Sequence, residues 1–215
     1  SESNVLYHNN GDGTFSDVTD IAGVDGVEER MGLVVTAFDY NNDFWPDIYI
    51  GNDMDTGNIL YHNNGDGTFS NRSEESGLDL YISCMGLAAE DYDSDGDLDI
   101  YATNLDQAIT VNGNVLMRNN GDGTFTDVAP QLGLTVNLIG WGANFFDFDN
   151  DGDLDLLVAN GCISGIGNGG QLGCSWNSDF SDEQAHTNML FSNNGDGTFT
   201  DISDLSGLNN SYLTT

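Results

Sequence analysis

The sequence predicts an all-β protein made of β-propeller-type blades, each of four antiparallel strands, with about three and a half blades in the chain. Two alternating motifs predict it. The first begins at Asn4 (Asn-Val-Leu-Tyr-His-Asn-Asn-Gly-Asp-Gly-Thr-Phe) and returns at Asn58, Asn114 and Asn188. The second begins at Asp39, Asp91 and Asp147. Strand-like runs flank both, and no helical periodicity of useful length appears. Four antiparallel strands per roughly 40–50 residues make a propeller blade, whereas a parallel β-helix repeats far sooner.

The first motif reads as a hairpin. Val5-Leu6-Tyr7 and Thr14-Phe15-Ser16-Asp17-Val18 are strand-like, and Asn9-Asn10-Gly11-Asp12-Gly13 between them accepts positive φ at little cost. The second motif also joins strands. In its middle copy Met85–Glu90 lead in and Leu98–Ala102 lead out. With the second motif as hairpin A–B and the first as C–D, the chain opens on a half blade at 4–18. Blades then follow at 32–71, 86–128 and 141–202, all in one repeat domain over 1–215. The last blade carries an insertion, 161–187, between B and C. Tyr7, Tyr61, Phe15, Phe69, Phe125 and Phe199 recur at fixed places and are assigned to the core between blades.

Closed propellers need at least four blades. The ring is therefore not closed by this chain alone. Either the chain is part of a longer protein, as its mid-repeat start suggests, or another copy fills the open half blade. Head-to-tail completion would build a ring or a filament.

Charge narrows the function. There are 36 Asp+Glu against 3 Lys+Arg, a formal net charge of -33. A surface this negative repels phosphate backbones and anionic headgroups, which excludes direct nucleic-acid binding. The chain is not a disordered acidic tail, because 38% of residues are hydrophobic and 10% aromatic, in short regular runs. The 28 glycines against 2 prolines indicate tight turns rather than polyproline linkers. No run of roughly 20 apolar residues is present to span a membrane. Ser1-Glu2-Ser3 leads into a strand-like segment without a signal peptide. Cys162 and Cys174 flank a glycine-rich stretch and are spaced to form a disulfide or to stay reduced, with Cys84 left over.

So much negative charge calls for a cation, and the second motif offers places for one. Asp91-Tyr92-Asp93-Ser94-Asp95-Gly96-Asp97-Leu98-Asp99 puts carboxylates at positions 1, 3, 5 and 9, with Gly at 6 and a backbone carbonyl available from Asp97 at 7. This is the ligand order of an EF-hand-type calcium loop, ending at 9 because a strand follows instead of a helix. Asp147, Asp149, Asp151, Asp153 and Asp155 repeat it. Hard oxygen donors on a flexible loop select Ca²⁺ over Mg²⁺, and the lack of Cys or His inside the loops argues against transition metals. The first copy, Asp39-Tyr40-Asn41-Asn42-Asp43-Phe44-Trp45-Pro46-Asp47, has Phe44 where a sharp turn favours Gly. It is expected to bind more weakly.

Carboxylates this close repel by roughly 1 kcal/mol per pair even in water. At millimolar calcium and a Kd near ~0.1 mM, each site would add about 1.4 kcal/mol of stability, and three would add about 4. Asp12, Asp66, Asp122 and Asp196 in the Asn-Gly-Asp-Gly turns are assigned to turn geometry rather than metal. His8 and His62 are replaced by Arg118 and Ser192 in the other copies, which argues for solvent-facing positions. His186 is read as structural.

Asn-x-Leu-Tyr-x-Asn-Asn-Gly-Asp-Gly-Thr-Phe-x-Asp-Val, together with Met-Gly…Asp-Tyr-Asp-x-Asp-Gly-Asp-Leu-Asp-Ile-Tyr, resembles the FG-GAP/VCBS repeat. Integrin α-subunit propellers and cartilage-acidic-protein-like proteins carry similar repeats. The resemblance covers nearly the whole chain outside the insertion. It implies calcium in the A–B hairpins, an extracellular setting, and roles in adhesion, recognition or surface architecture. The implied ligands are Asp91, Asp93, Asp95, Asp97 (by its carbonyl) and Asp99, the matching places at 147–155, and Asp39, Asn41, Asp43, Trp45 (by its carbonyl) and Asp47, about three sites in all. The incomplete blade count and the insertion depart from a closed integrin-like ring.

A non-enzymatic, calcium-stabilised extracellular module for adhesion or for surface or filament architecture is the favoured reading. Its partner would be a protein, a glycan or further copies of the chain. No Gly-x-Ser-x-Gly, His-Glu-x-x-His or Walker loop occurs. A lectin-like propeller is the first alternative, with Trp141 and Trp176 the only loose stacking candidates. An accessory segment of a larger secreted enzyme is the other. Asn71-Arg-Ser and Asn209-Asn-Ser are N-glycosylation sequons.

Overall fold

A computed structural model of the chain describes residues 4–25, 30–53, 56–105, 113–136, 138–161 and 187–208. Cys162, Cys174, Trp176, His186 and Asn209 lie outside them. The described residues form an all-β architecture. Strands β1 (Tyr7–Asn9) and β2 (Phe15–Asp17) pair as an antiparallel hairpin. Three four-stranded antiparallel sheets follow, each a simple meander. The first holds β3 (Met31–Phe38), β4 (Asp47–Asp53), β5 (Ile59–Asn63) and β6 (Phe69–Asn71). The second holds β7 (Cys84–Glu90), β8 (Asp99–Asn104), β9 (Val115–Asn119) and β10 (Phe125–Asp127). The third holds β11 (Gly140–Phe146), β12 (Asp155–Asn160), β13 (Met189–Asn193) and β14 (Phe199–Asp201). The first strands of successive sheets, β3, β7 and β11, lie side by side in that order.

The sheets stack face to face because their strands are apolar on both faces. Along β4, Tyr49 enters the core shared with the second sheet, while its neighbours Ile48 and Ile50 enter the core shared with the first hairpin. Along β8, Ile100 and Ala102 pack back toward the first sheet and Tyr101 forward toward the third. Leu60 and Leu116 face forward, whereas Ile59, Tyr61, Val115 and Met117 face back. The period of two thus feeds two different cores, and each buried large side chain contributes about 1.5–3 kcal/mol.

Glycine lets the first strands come close. A Cβ on Gly86 of β7 would lie 2.6 Å from the Cα of Gly142 in β11. The first Asn of the hairpin motif closes the other end of each sheet. Asn58, Asn114 and Asn188 accept from the backbone N–H of Asn52, Asn104 and Asn160 at 2.8–3.0 Å, and so hold the end of the second strand beside the start of the third. Asn160 and Asn188 thus hold together the two ends between which the insertion runs.

Each repeat also ends in a one-turn helix that periodicity is too short to reveal: α1 (Thr19–Ala22), α2 (Ser73–Ser76), α3 (Ala129–Leu132) and α4 (Ser203–Ser206). Asp17, Asn71, Asp127 or Asp201 accepts from the N–H of the first helical residue. Gly23, Gly77, Gly133 or Gly207 ends the turn at φ 72–79°.

The core assignment needs one correction. Tyr61 and Phe125 are buried, and Phe69 and Phe199 pack against the cores. Tyr7 and Phe15, however, are 60% and 62% exposed, because among the described residues no sheet covers their face of the first hairpin.

Candidate metal centre

The three acidic hairpin loops, 39–47, 91–99 and 147–155, share one hydrogen-bond scheme. The position-1 carboxylate accepts two backbone N–H groups, from positions 5 and 6. In the middle loop Asp95 N donates to Asp91 Oδ1 at 3.0 Å and Gly96 N to Asp91 Oδ2 at 2.9 Å. Asp39 and Asp147 do the same. The position-5 carboxylate accepts from the N–H of position 7. Positions 4 and 6 are left-handed, with φ 59–61° at Asn42, Ser94 and Asn150, and φ 95° and 100° at Gly96 and Gly152. These bonds fold nine residues into a tight cup whatever occupies it.

Position 9 opens the outgoing strand and is fully buried: Asp47, Asp99 and Asp155 have no exposed surface. Its carboxylate accepts twice. Tyr92 N donates to Asp99 Oδ2 at 3.3 Å, and Asn119 N, from the third strand, donates to Asp99 Oδ1 at 2.8 Å. Asp47 and Asp155 are held by the equivalent pairs, Tyr40 with Asn63 and Phe148 with Asn193.

Carboxylate oxygens of Asp91, Asp93 and Asp99 lie within 4.8 Å of one another, as do those of Asp147, Asp149 and Asp151. Asp95 and Asp155 stand outside these two groups. Burial pushes the Asp99 carboxyl up to about 7, with the Asp93 and Asp95 charges adding to it. Burial, then the charges of Asp95 and Asp91, raises Asp93. Asp149 is raised in the same direction, by desolvation first and then by Asp151. In addition, Asp93 Oδ1 is buried without a hydrogen-bond partner. An all-oxygen cup with crowded, raised carboxyls and one unpartnered buried oxygen fits a hard divalent cation. The side chains at position 7 turn elsewhere. Asp97 Oδ1 accepts from Asn42 Nδ2 of the preceding loop at 2.6 Å, Asp153 Oδ2 lies over Gly195, and the Trp45 indole lies over Gly65. For Asp97, Asp153 and Trp45 only the main-chain carbonyl would be free for a ligand.

The first loop differs. Phe44 adopts φ 70° and is 92% exposed. A left-handed L-residue costs roughly 1–2 kcal/mol. Asn41 spends its side chain on Asp43. Among the described residues no acidic triad forms here. His62 stands on the third strand with Nδ1 3.1 Å from Asp47 Oδ1 and 4.0 Å from Asp43 Oδ2. Its assignment to solvent is therefore corrected: it faces the loop, because β5 pairs beside the start of β4.

The Asn-Gly-Asp-Gly aspartates are turn residues. Asp12, Asp66, Asp122 and Asp196 each accept from the N–H and hydroxyl of the Thr two places on, and these bonds hold their carboxyls below the usual range. Cys84 is a buried free thiol that burial pushes up to about 12, so it is unreactive.

Sequence reasoning missed Asn63, Asn119 and Asn193. They read as turn residues, yet their backbone N–H groups hold the position-9 carboxylates. The signal was internal: Asn occupies this place in all four copies, beside a place that varies through His8, His62, Arg118 and Ser192.

The FG-GAP-like repeat profile matches residues 1–50, 39–102 and 104–158. Cartilage acidic protein 1 of Homo sapiens is 31% identical over 162 residues, covering 74% of this chain and 24% of that protein. The Mus musculus protein of the same name is 30% identical over 162 residues, covering 74% and 25%. The chain thus spans about a quarter of the length of these curated relatives.

Proposed function

Because the chain belongs to the FG-GAP-like repeat family, we propose that it is a non-enzymatic, extracellular calcium-binding module used in adhesion or in surface or filament architecture. One observation carries the calcium reading: Asp91, Asp93 and Asp99 converge within 4.8 Å, and Asp93 Oδ1 is buried and unpartnered. Asp91, Asp93, Asp95 and Asp99 would hold the ion with the Asp97 carbonyl. Asp147, Asp149, Asp151, Asp155 and the Asp153 carbonyl would hold a second. Asp39, Asn41, Asp43, Asp47 and the Trp45 carbonyl would hold a weaker third. Similarity to a protein named for cartilage supports the extracellular setting. Among the described residues no helix is long and apolar enough to cross a membrane.

The partner is a protein, a glycan or a further copy of the chain. Val5, Tyr7 and Phe15 on the first hairpin and Val35 on β3 are all more than half exposed, which leaves apolar surface for such a contact. Calorimetric titration of the chain with calcium tests the site. We expect two tighter sites and one weaker, with Asp93→Asn and Asp149→Asn each removing one tighter site. Absence of binding heat at millimolar calcium would overturn the reading.

A further inference from the structure

The side chains of Asn119 and Asn193 reach beyond their own repeat. Asn119 Nδ2 donates to Leu98 O in its own loop at 3.2 Å and to Tyr40 O in the preceding loop at 2.8 Å. Asn193 Nδ2 donates to Leu154 O at 3.2 Å and to Tyr92 O at 2.9 Å. Both side chains are buried. The carbonyl reached is always that of position 2, whose own N–H donates to the position-9 carboxylate of that loop. Hydrogen bonds therefore run unbroken from Asp47 through Tyr40 and Asn119 to Asp99, and on through Tyr92 and Asn193 to Asp155.

From this we infer that the loops of successive blades bind calcium cooperatively, with Asn119 and Asn193 as the positioning residues that join them. The inference rests on the calcium reading above. Tyr92 C=O belongs to the peptide that also carries the Asp93 N–H, so the orientation of that peptide sets where the position-3 ligand begins. An ion in the middle loop fixes this peptide. The fixed carbonyl orders the Asn193 amide, and Asn193 N–H holds Asp155 in place for the next loop. Coupling of this kind is reciprocal. Asn63 is an internal control. It holds its own loop, with Nδ2 donating to Pro46 O at 3.0 Å and N–H to Asp47, but among the described bonds it reaches no other loop.

The middle and last loops give the cleaner test, since the first two are also linked by Asn42 and Asp97. The full chain is titrated with calcium and followed by NMR at the Gly96 and Gly152 amides, which report the two loops separately. Asp93→Asn disables the middle loop while keeping the hydrogen-bonded line. It is expected to weaken calcium binding at Gly152 by at least about fivefold. In an Asn193→Ala background the same change should leave the Gly152 midpoint where it was, whereas an Asn63→Ala background should preserve the fivefold effect. An unchanged Gly152 midpoint in Asp93→Asn alone overturns the coupling, and that arm needs no Asn193 variant to fold. A fivefold effect that survives Asn193→Ala overturns the route. If neither glycine responds to calcium in the unaltered chain, the calcium reading itself has failed, a result distinct from both.

Discussion

Burial holds the Asp99 carboxyl near 7, above the range of an unfolded aspartate, while two backbone donors and a cluster of acids surround it. The sign of the pH effect follows. Without metal, the unfolded chain ionises this group above about 4 and the folded chain does not until about 7. The unfolded state therefore gains on the folded state as pH rises across that window. In EDTA the protein should be more stable at pH 5 than at pH 8. Calcium favours the ionised cluster, so the melting-temperature difference between calcium and EDTA should widen from pH 5 to pH 8, and a constant difference would contradict this. Asp99→Ala would strand the Tyr92 and Asn119 N–H groups, each costing about 1–3 kcal/mol. Chemical denaturation in EDTA at pH 5, where the folded chain keeps this carboxyl protonated, should thus show a loss of roughly 2–6 kcal/mol even with no metal to lose. At this scale the acidic loops were legible because their spacing lies within nine residues. The part of Asn119 was not, since the Tyr40 carbonyl it reaches is 79 residues away in sequence.

Among the elements, the strands were legible because alternation and turn residues mark them locally. Their ends shifted by a residue or two, as with the observed start of β8 at Asp99 against an expected Leu98. The one-turn helices were not legible. Four residues give no periodicity, and the turns are held by bonds such as Thr19 N–H to Asp17 before the helix and by the left-handed Gly23 after it, rather than by an apolar stripe. Close approach of β7 and β11 gives a prediction at this level. Gly86→Ala places a methyl 2.6 Å from Gly142 Cα and 3.0 Å from Trp141 O, both backbone that cannot step aside. It should destabilise by about 1–3 kcal/mol in urea melts. Gly142→Ala meets nothing within 4 Å and should be nearly neutral, and equal costs would refute the contact.

At the scale of the molecule, three sheets and a hairpin stack through three cores among the described residues, as the alternating motifs predict. The repeat count left the first half blade open, but the place of Tyr7 in the repeat still pointed to a core position: it has nearly the same sequence context as the buried Tyr61 and differs in having, among the described residues, no sheet against it. If that face meets further copies, Tyr7→Thr with Phe15→Thr should lower the mass seen by light scattering at high protein concentration with little change in melting temperature. A native chain that stays monomeric at every concentration would remove self-assembly from the account. The central claim is that calcium in the acidic loops stabilises the stack. Its most direct test is a thermal melt at neutral pH in millimolar calcium against the same melt in EDTA. Two sites at about 1.4 kcal/mol each and a weaker third predict a fall of roughly 10 °C on removing calcium. An unchanged melt would mean that the loops are solvated acidic turns and that the stack holds without a metal.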